Sequence, residues 1–169
     1  MNISKRLLYL FFLVNFMLCS TVSALEGDSV QPITVDSDAG FYDEKKGLSI
    51  YTGDVVVIQG SMRLGADKLV VYLENREIQK MVATGRPVKF RQTPEAGKED
   101  VHGNSLTAEY FPETKLLILL ESAVVWQGEN STKSERIEYD RLREVLKAGD
   151  TTSTNKRVHV ILQPKSKAD

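Results

Sequence analysis

The chain is poor in the residues that form chemical sites. Its 169 residues include one cysteine, two histidines and one tryptophan. The cysteine, Cys19, lies in a segment that we expect to be removed, so neither a disulfide nor a cysteine-based nucleophile or metal site is available to the rest of the chain. Lysine plus arginine (22) nearly equals aspartate plus glutamate (23). This balance gives no basic stripe of the kind that nucleic acid requires.

Catalytic patterns are weak. His102 and His159 are far apart in the sequence, and only His102 has a serine close by, Ser105. The clustered carboxylates fall at predicted turns, where aspartate stabilises bends through its own backbone. No histidine and carboxylate spacing suits a metal, and the string GENSTKS at 128–134 lacks the glycine that a phosphate-binding loop places before its lysine. We therefore expect no enzyme, no metal and no cofactor.

The first 24 residues have the order of a secretory signal peptide. Lys5 and Arg6 precede an apolar run, residues 7–18, and the small-residue site Val22-Ser23-Ala24 follows. The run is too short to span a bilayer core of roughly 30 Å, and an uncleaved anchor is the alternative. We expect cleavage after Ala24, a single domain over residues 25–164, and a flexible tail at 165–169.

The remaining sequence repeats. DVVVIQG at 54–60 reappears as SAVVWQG at 122–128, 68 residues later, and ADKL at 66–69 meets SERI at 134–137 at the same offset. Shorter units of about 30 residues lie within each half, a period that indicates a stacked architecture.

Most of the repeated segments are typical of strands. Short runs rich in valine, isoleucine and aromatic residues are bounded by glycine, proline and aspartate. Residues 93–104 are the expected long loop. Residues 131–148 contain many helix formers, but the repeat aligns them with the strand-like segment 66–81, so we predict strand there as well. Without helices to cover them, the apolar faces of a sheet of short strands must pack against each other, as in a sandwich or jelly roll. Such stacking leaves the first and last strands without a neighbour on one side.

Five strings in series, covering nearly all of the chain after the leader, resemble the LptA family, also called the OstA-like N-terminal domain, of lipopolysaccharide transport. They are QPITVDSD (31–38), YTGDVVVIQGSMRLGADKLVVY (51–72), TGRPVKF (84–90), GNSLTAEYF (103–111) and NKRVHVILQP (155–164).

The resemblance implies an all-β fold, a twisted antiparallel β-jelly roll open at both strand edges. It implies a periplasmic protein with an apolar interior that holds the acyl chains of lipid A. It also implies end-to-end pairing, with an LptC-like inner-membrane partner at the first strand and an LptD-like outer-membrane partner at the last strand. The unpaired first and last strands further predict head-to-tail self-association between copies.

Alternation and matching to the family predict the lipid-binding interior. Its residues are Ile33, Val35, Leu48, Ile50, Val55, Val57, Met62, Leu64, Leu69, Val71, Val88, Phe90, Leu106, Tyr110, Leu116, Ile118, Val125, Ile137 and Tyr139. The predicted N-terminal partner edge is Pro32, Ile33, Thr34, Val35 and Asp36, and the C-terminal edge is Arg157, Val158, His159, Val160, Ile161 and Leu162. Trp126 has the opposite parity from Val125 and is expected on the surface or in a second layer.

Two other functions remain open at this point. An exported β-sandwich that binds carbohydrate or protein would carry exposed aromatics on one flat face, whereas most aromatics here lie in or beside apolar strand runs. A glycan hydrolase would need two carboxylates about 5 to 10 Å apart in a cleft, and the sequence places its acids at turns and on the surface.

Overall fold

The computed structural model of the protein describes residues 27–94, 97–149 and 157–164. The predicted signal peptide, 1–24, and tail, 165–169, lie outside these residues. Within them the chain forms ten strands after a short 3-10 turn at Asp28–Val30. The strands are β1 (Thr34–Asp36), β2 (Ala39–Asp43), β3 (Leu48–Gln59), β4 (Met62–Glu74), β5 (Glu77–Gln92), β6 (Val101–Phe111), β7 (Leu116–Gln127), β8 (Asn130–Asp140), β9 (Val145–Ala148) and β10 (His159–Ile161).

All ten strands belong to one antiparallel sheet. From β3 to β8 each strand pairs with its neighbour in the chain, as a meander of hairpins. At one edge β1 and β2 pair with different parts of β3, and at the other β10 and β9 pair with different parts of β8. The sheet is therefore not closed on itself, which confirms the predicted all-β fold with open edges.

A line of register shifts crosses the sheet near the middle of each long strand. We call this line the crease. The shifts lie at Thr52/Val55, Gly65/Lys68, Thr84/Val88, Asn104/Thr107 and Leu120/Ala123. Bulges of this kind bend a strand and increase its twist, and here they fold the sheet over on itself.

The fold produces two layers of the same sheet. The first layer contains residues 34–36, 55–65, 88–92, 101–104, 123–134 and 159–161, and the second contains 39–52, 68–84, 107–120 and 136–148. The side chains between them form one hydrophobic cluster with members from both layers. Its most deeply buried large members include Leu117, Leu119 and Ile137, and each such side chain contributes about 1.5–3 kcal/mol by its burial.

The layers are rotated relative to each other. Gln59 of β3 hydrogen-bonds Tyr110 of β6, and Phe90 of β5 packs edge-on against Tyr139 of β8 with ring centroids 6.4 Å apart. Away from the crease, a strand of the first layer thus contacts the second layer about three strands further along the sheet.

The internal repeat is visible in the backbone. Gly47 and Lys115, 68 residues apart, both have a φ of 58°, and Gly60 and Gly128 have φ values of 59° and 55°. The Leu73 amide donates to the Gly47 carbonyl as the Arg141 amide donates to that of Lys115. The sequence repeat therefore corresponds to two copies of one hairpin unit.

Two local predictions were tested by this fold. Residues 131–148 form β8, a turn and β9, so the strand predicted from the repeat is confirmed against the local helix propensity. The loop predicted at 93–104 is shorter than expected because β6 begins at Val101. Among the described residues, none belongs to a helix that is both long enough and apolar enough to cross a membrane.

Candidate functional site

The space between the two layers, which we call the groove, is lined by the inward side chains of both. Twelve of the predicted interior residues lie in the hydrophobic cluster, namely Val55, Val57, Met62, Leu64, Leu69, Val71, Val88, Phe90, Tyr110, Val125, Ile137 and Tyr139. Ile33 and Val35 are partly buried and pack against it. The structure therefore brings these fourteen positions together, and their contact with lipid stays a prediction.

Five predicted interior positions were placed wrongly: Leu48, Ile50, Leu106, Leu116 and Ile118. On β3 the inward residues are Ser49 and Tyr51, which pair with Val71 and Leu69 of the cluster. On β7 they are Leu117 and Leu119. Leu48, Ile50, Leu116 and Ile118 consequently face away from the groove.

The physical reason is the crease. At the crease, β3 and β7 each contain two consecutive residues with a left-handed φ. They are Gly53–Asp54 in β3 and Glu121–Ser122 in β7. Two inserted residues leave the alternation unchanged across the crease, so odd-numbered residues face inward on both sides. Leu106 falls in the crease of β6, unpaired between Asn104 and Thr107, and its side chain is 42% exposed.

Several groove residues escaped the sequence analysis. They are Met81, Ala83, Val101, Ala108, Leu117, Leu119 and Ala123. Met81 and Ala83 alternate in the segment before the crease of β5, so the same period that predicted Val88 and Phe90 could have found them. Small alanines carry too little hydrophobic signal to be recognised singly.

A polar group lies at one margin of the groove, where Arg141 follows the end of β8. Its side chain is buried, at 9% exposure. The guanidinium donates to Gln92 Oε1 (3.1 Å), to Gln59 Oε1 (3.0 Å) and to the Tyr110 hydroxyl (2.8 Å). Among the described residues, no carboxylate forms an ion pair with Arg141. Sequence periodicity gave no indication of this group.

Burial also acts on the groove tyrosines. It raises the pKa of Tyr110, although the Arg141 charge and hydrogen bond partly offset the increase. Burial likewise raises the pKa of Tyr139. Both hydroxyls stay protonated at neutral pH, so Tyr110 can donate to Gln59 Oε1 at 3.1 Å while accepting from Arg141.

The groove is full in the middle and open near its last strands. Between Met62, Met81, Tyr110 and Leu117 there remains a void of about 20 Å³, which is room for about one water molecule. Near β10 a cavity of about 400 Å³ has Val125, Tyr139, Leu146 and Leu162 in its lining.

Aromatic rings also meet on the face of the sheet away from the groove. His102 stacks on Trp126 with ring centroids 5.3 Å apart, on the side of the sheet away from the groove. Trp126 is thus on the outer surface, as predicted. Ser105, the serine close to His102 in the sequence, is buried within β6 and donates to the Thr107 carbonyl. No group of three metal-ligating side chains occurs in the part of the chain that the structure describes.

Comparisons with known proteins agree with this geometry. The model of the family "LptA/(LptD N-terminal domain) LPS transport protein" matches residues 34–145. Lipopolysaccharide export system protein LptH of Pseudomonas aeruginosa is 34% identical over 155 residues, 88% of this chain and 89% of that protein. LptA of Escherichia coli K12 is 30% identical over 86% of this chain and 78% of its own.

The solved structures give the same answer. The crystal structure of LptH, described as the LptA-homologous periplasmic component of the lipopolysaccharide transport device of P. aeruginosa, has a TM-score of 0.75 and 32% identity. It covers 81% of this chain, and this chain covers 99% of it. The chain therefore belongs to the family of LptA and LptD N-terminal-domain lipopolysaccharide transport proteins.

Proposed function

We propose that the protein is an exported, periplasmic carrier of lipopolysaccharide that shields the acyl chains of lipid A in the groove. The observation that carries this proposal is a two-layered sheet with one apolar interior and two open edges, in a chain of this transport family. The description of LptH as a periplasmic component supports the location. Residues 1–24 would be the cleaved signal peptide.

The proposed task is energetic and needs no catalytic group. Exposing an acyl chain to water costs roughly 0.8 kcal/mol per methylene, so a multi-acylated lipid cannot cross an aqueous space unaided at a useful rate. A continuous apolar groove removes most of that cost. The energy that moves the lipid would then come from a separate motor protein.

The two edges are the proposed contacts with other proteins. Among the described residues, β1 and β2 have a partner strand on one side only, and so have β9 and β10. Unpaired edges accept another strand readily. We propose that residues 32–36 dock an LptC-like protein, that residues 157–162 dock an LptD-like protein, and that copies associate head to tail.

Photo-crosslinking tests the groove at matched positions. A photoreactive residue at Phe90 or Tyr110, both inward, should capture lipopolysaccharide in the cell envelope. The same residue at Lys89 or Glu109, adjacent and outward, should not, because neighbouring strand residues face opposite sides. Equal capture at all four positions would refute the groove as the lipid site.

Mass spectrometry of lipid that copurifies with the native protein identifies the ligand independently.

A further inference from the structure

The side chains around Arg141 join the two layers. Arg141 and Tyr110 extend from the second layer, whereas Gln59 and Gln92 end strands of the first. The guanidinium bonds to Gln92 (3.1 Å) and Gln59 (3.0 Å) and the Tyr110–Gln59 bond of 3.1 Å therefore fasten one layer to the other. The third guanidinium bond, to the Tyr110 hydroxyl (2.8 Å), lies within the second layer and holds Arg141 and Tyr110 together. We call Arg141, Gln59, Gln92 and Tyr110 the latch.

The latch is also connected to the N-terminal segment. Gln59 Nε2 donates to the Gln31 carbonyl at 3.2 Å, and Gln92 Nε2 donates to Asp28 Oδ2 at 3.3 Å. Asp28 also accepts a hydrogen bond from the Ser61 amide at 2.9 Å. Both glutamine side chains are thus held from two sides, which fixes their carbonyl oxygens towards the guanidinium.

Among the described residues of the first repeat, no arginine stands at the position that corresponds to Arg141. The position equivalent to Arg141 is Leu73, which packs against the hydrophobic cluster. A leucine would complete the interior without the cost of desolvating a charge. The second repeat instead uses a buried cation with directional bonds, and these weaken steeply once the donor and acceptor separate.

The groove has no space for an acyl chain beside the latch. Among the described residues, the void between Met62, Met81, Tyr110 and Leu117 measures about 20 Å³, so a chain can enter there only if the layers move apart. Moving them apart breaks the bonds between Arg141 and the first-layer glutamines. We infer that the latch holds the two layers together and must open for lipid to occupy the groove, an inference that rests on the proposed function.

Thiol labelling measures this opening without any lipid. The sequence has no cysteine after the expected cleavage site, so a reporter cysteine that replaces Met62, which pairs with Gln59 near the latch, is the single thiol of the mature protein. A second reporter replaces Ala123, which is fully buried at the crease. In the Arg141→Ala variant the Met62→Cys reporter should react about tenfold faster, because bonds to a charged group are lost. The Ala123→Cys reporter should change by less than about twofold.

Arg136→Ala is the matched control. Arg136 also lies near the end of the chain's second repeat, but it bonds Glu138 of its own strand on the outer face, so both reporters should keep their rates. If Arg141→Ala does not fold, Tyr110→Phe removes a single hydroxyl from the latch and should accelerate only the Met62→Cys reporter, about threefold. Unchanged labelling at Met62→Cys, or equal acceleration at both reporters, would overturn the latch.

Lipid binding separates the latch from the proposed function. By stopped-flow fluorescence, Arg141→Ala should take up purified lipopolysaccharide faster than the parent protein, whereas Arg136→Ala should not. A parent protein that binds no lipopolysaccharide would refute the proposed function, and the labelling rates would still decide whether the latch opens.

Discussion

At the scale of single residues, one ion pair ties the loop before β6 to the sheet. Asp100 accepts from the Thr93 hydroxyl and from Arg91, each at 2.6 Å, and these bonds hold the pKa of its carboxyl below 3.8. Since the folded pKa is below the unfolded one, this stabilisation is present above the unfolded pKa and is lost as the pH falls through the folded value.

Asp100→Asn should therefore lower the melting temperature at neutral pH, and the deficit should shrink as the pH falls below 3.8. Thermal unfolding over a pH series measures this. Asp67→Asn is the control, because the ion pair of Asp67 with Arg86, at 3.5 Å, is exposed and should matter little at any pH. A deficit for Asp100→Asn that persists unchanged in acid would contradict the assigned cause.

The residues also show what the sequence can and cannot predict. Phe90 and Tyr110 were placed inward correctly because their strands alternate clearly between apolar and polar residues. Leu116 to Leu120 is apolar throughout, so alternation there cannot decide between Leu117 and Ile118. Arg141 resembles any surface cation, and only its alignment with Leu73 in the repeat would have indicated an interior position.

At the scale of elements, the repeat predicted more than local propensity did. Residues 131–148 favour helix on their own. They nevertheless pair as β8 and β9, as the corresponding residues of the first repeat do in β4 and β5. The crease could not be predicted, since it depends on where neighbouring strands fall out of register. That property belongs to the pair of strands and not to either sequence alone.

The hairpin between β3 and β4 offers a test of the contacts at one end of the sheet. Gly60 has a φ of 59°, and a Cβ there would overlap the carboxylate of Asp28. Gly60→Ala should thus lower the free energy of unfolding by about 1–3 kcal/mol, measured by denaturant titration. Gly27→Ala, which has nothing within 4 Å of the added carbon, should be nearly neutral. Equal losses would exclude the Asp28 contact as the cause.

At the scale of the whole molecule, the two open edges lie at opposite ends of the sheet, so pairing one edge of a copy with the other edge of the next leaves a free edge at each end of the assembly. Copies joined by such a heterologous contact form filaments that lengthen with concentration. Deleting residues 157–169 should abolish filaments and binding to an LptD-like protein, and leave binding to an LptC-like protein intact. Light scattering and pull-down assays measure these outcomes. A truncated protein that still forms the same filaments would refute the role of the C-terminal edge.

The edge strands are also the shortest in the sheet, and their length affects how often they open while the rest of the sheet stays folded. β1 and β10 each align only three residues with a neighbour, whereas β6 and β7 each lie between two long strands. Local opening is easiest where few backbone bonds must break, so the amides of β1 and β10 should exchange hydrogen for deuterium earliest and those of β6 and β7 latest. Another protein that pairs with so short a strand can dissociate and bind again while the central strands, β3 to β8, stay folded.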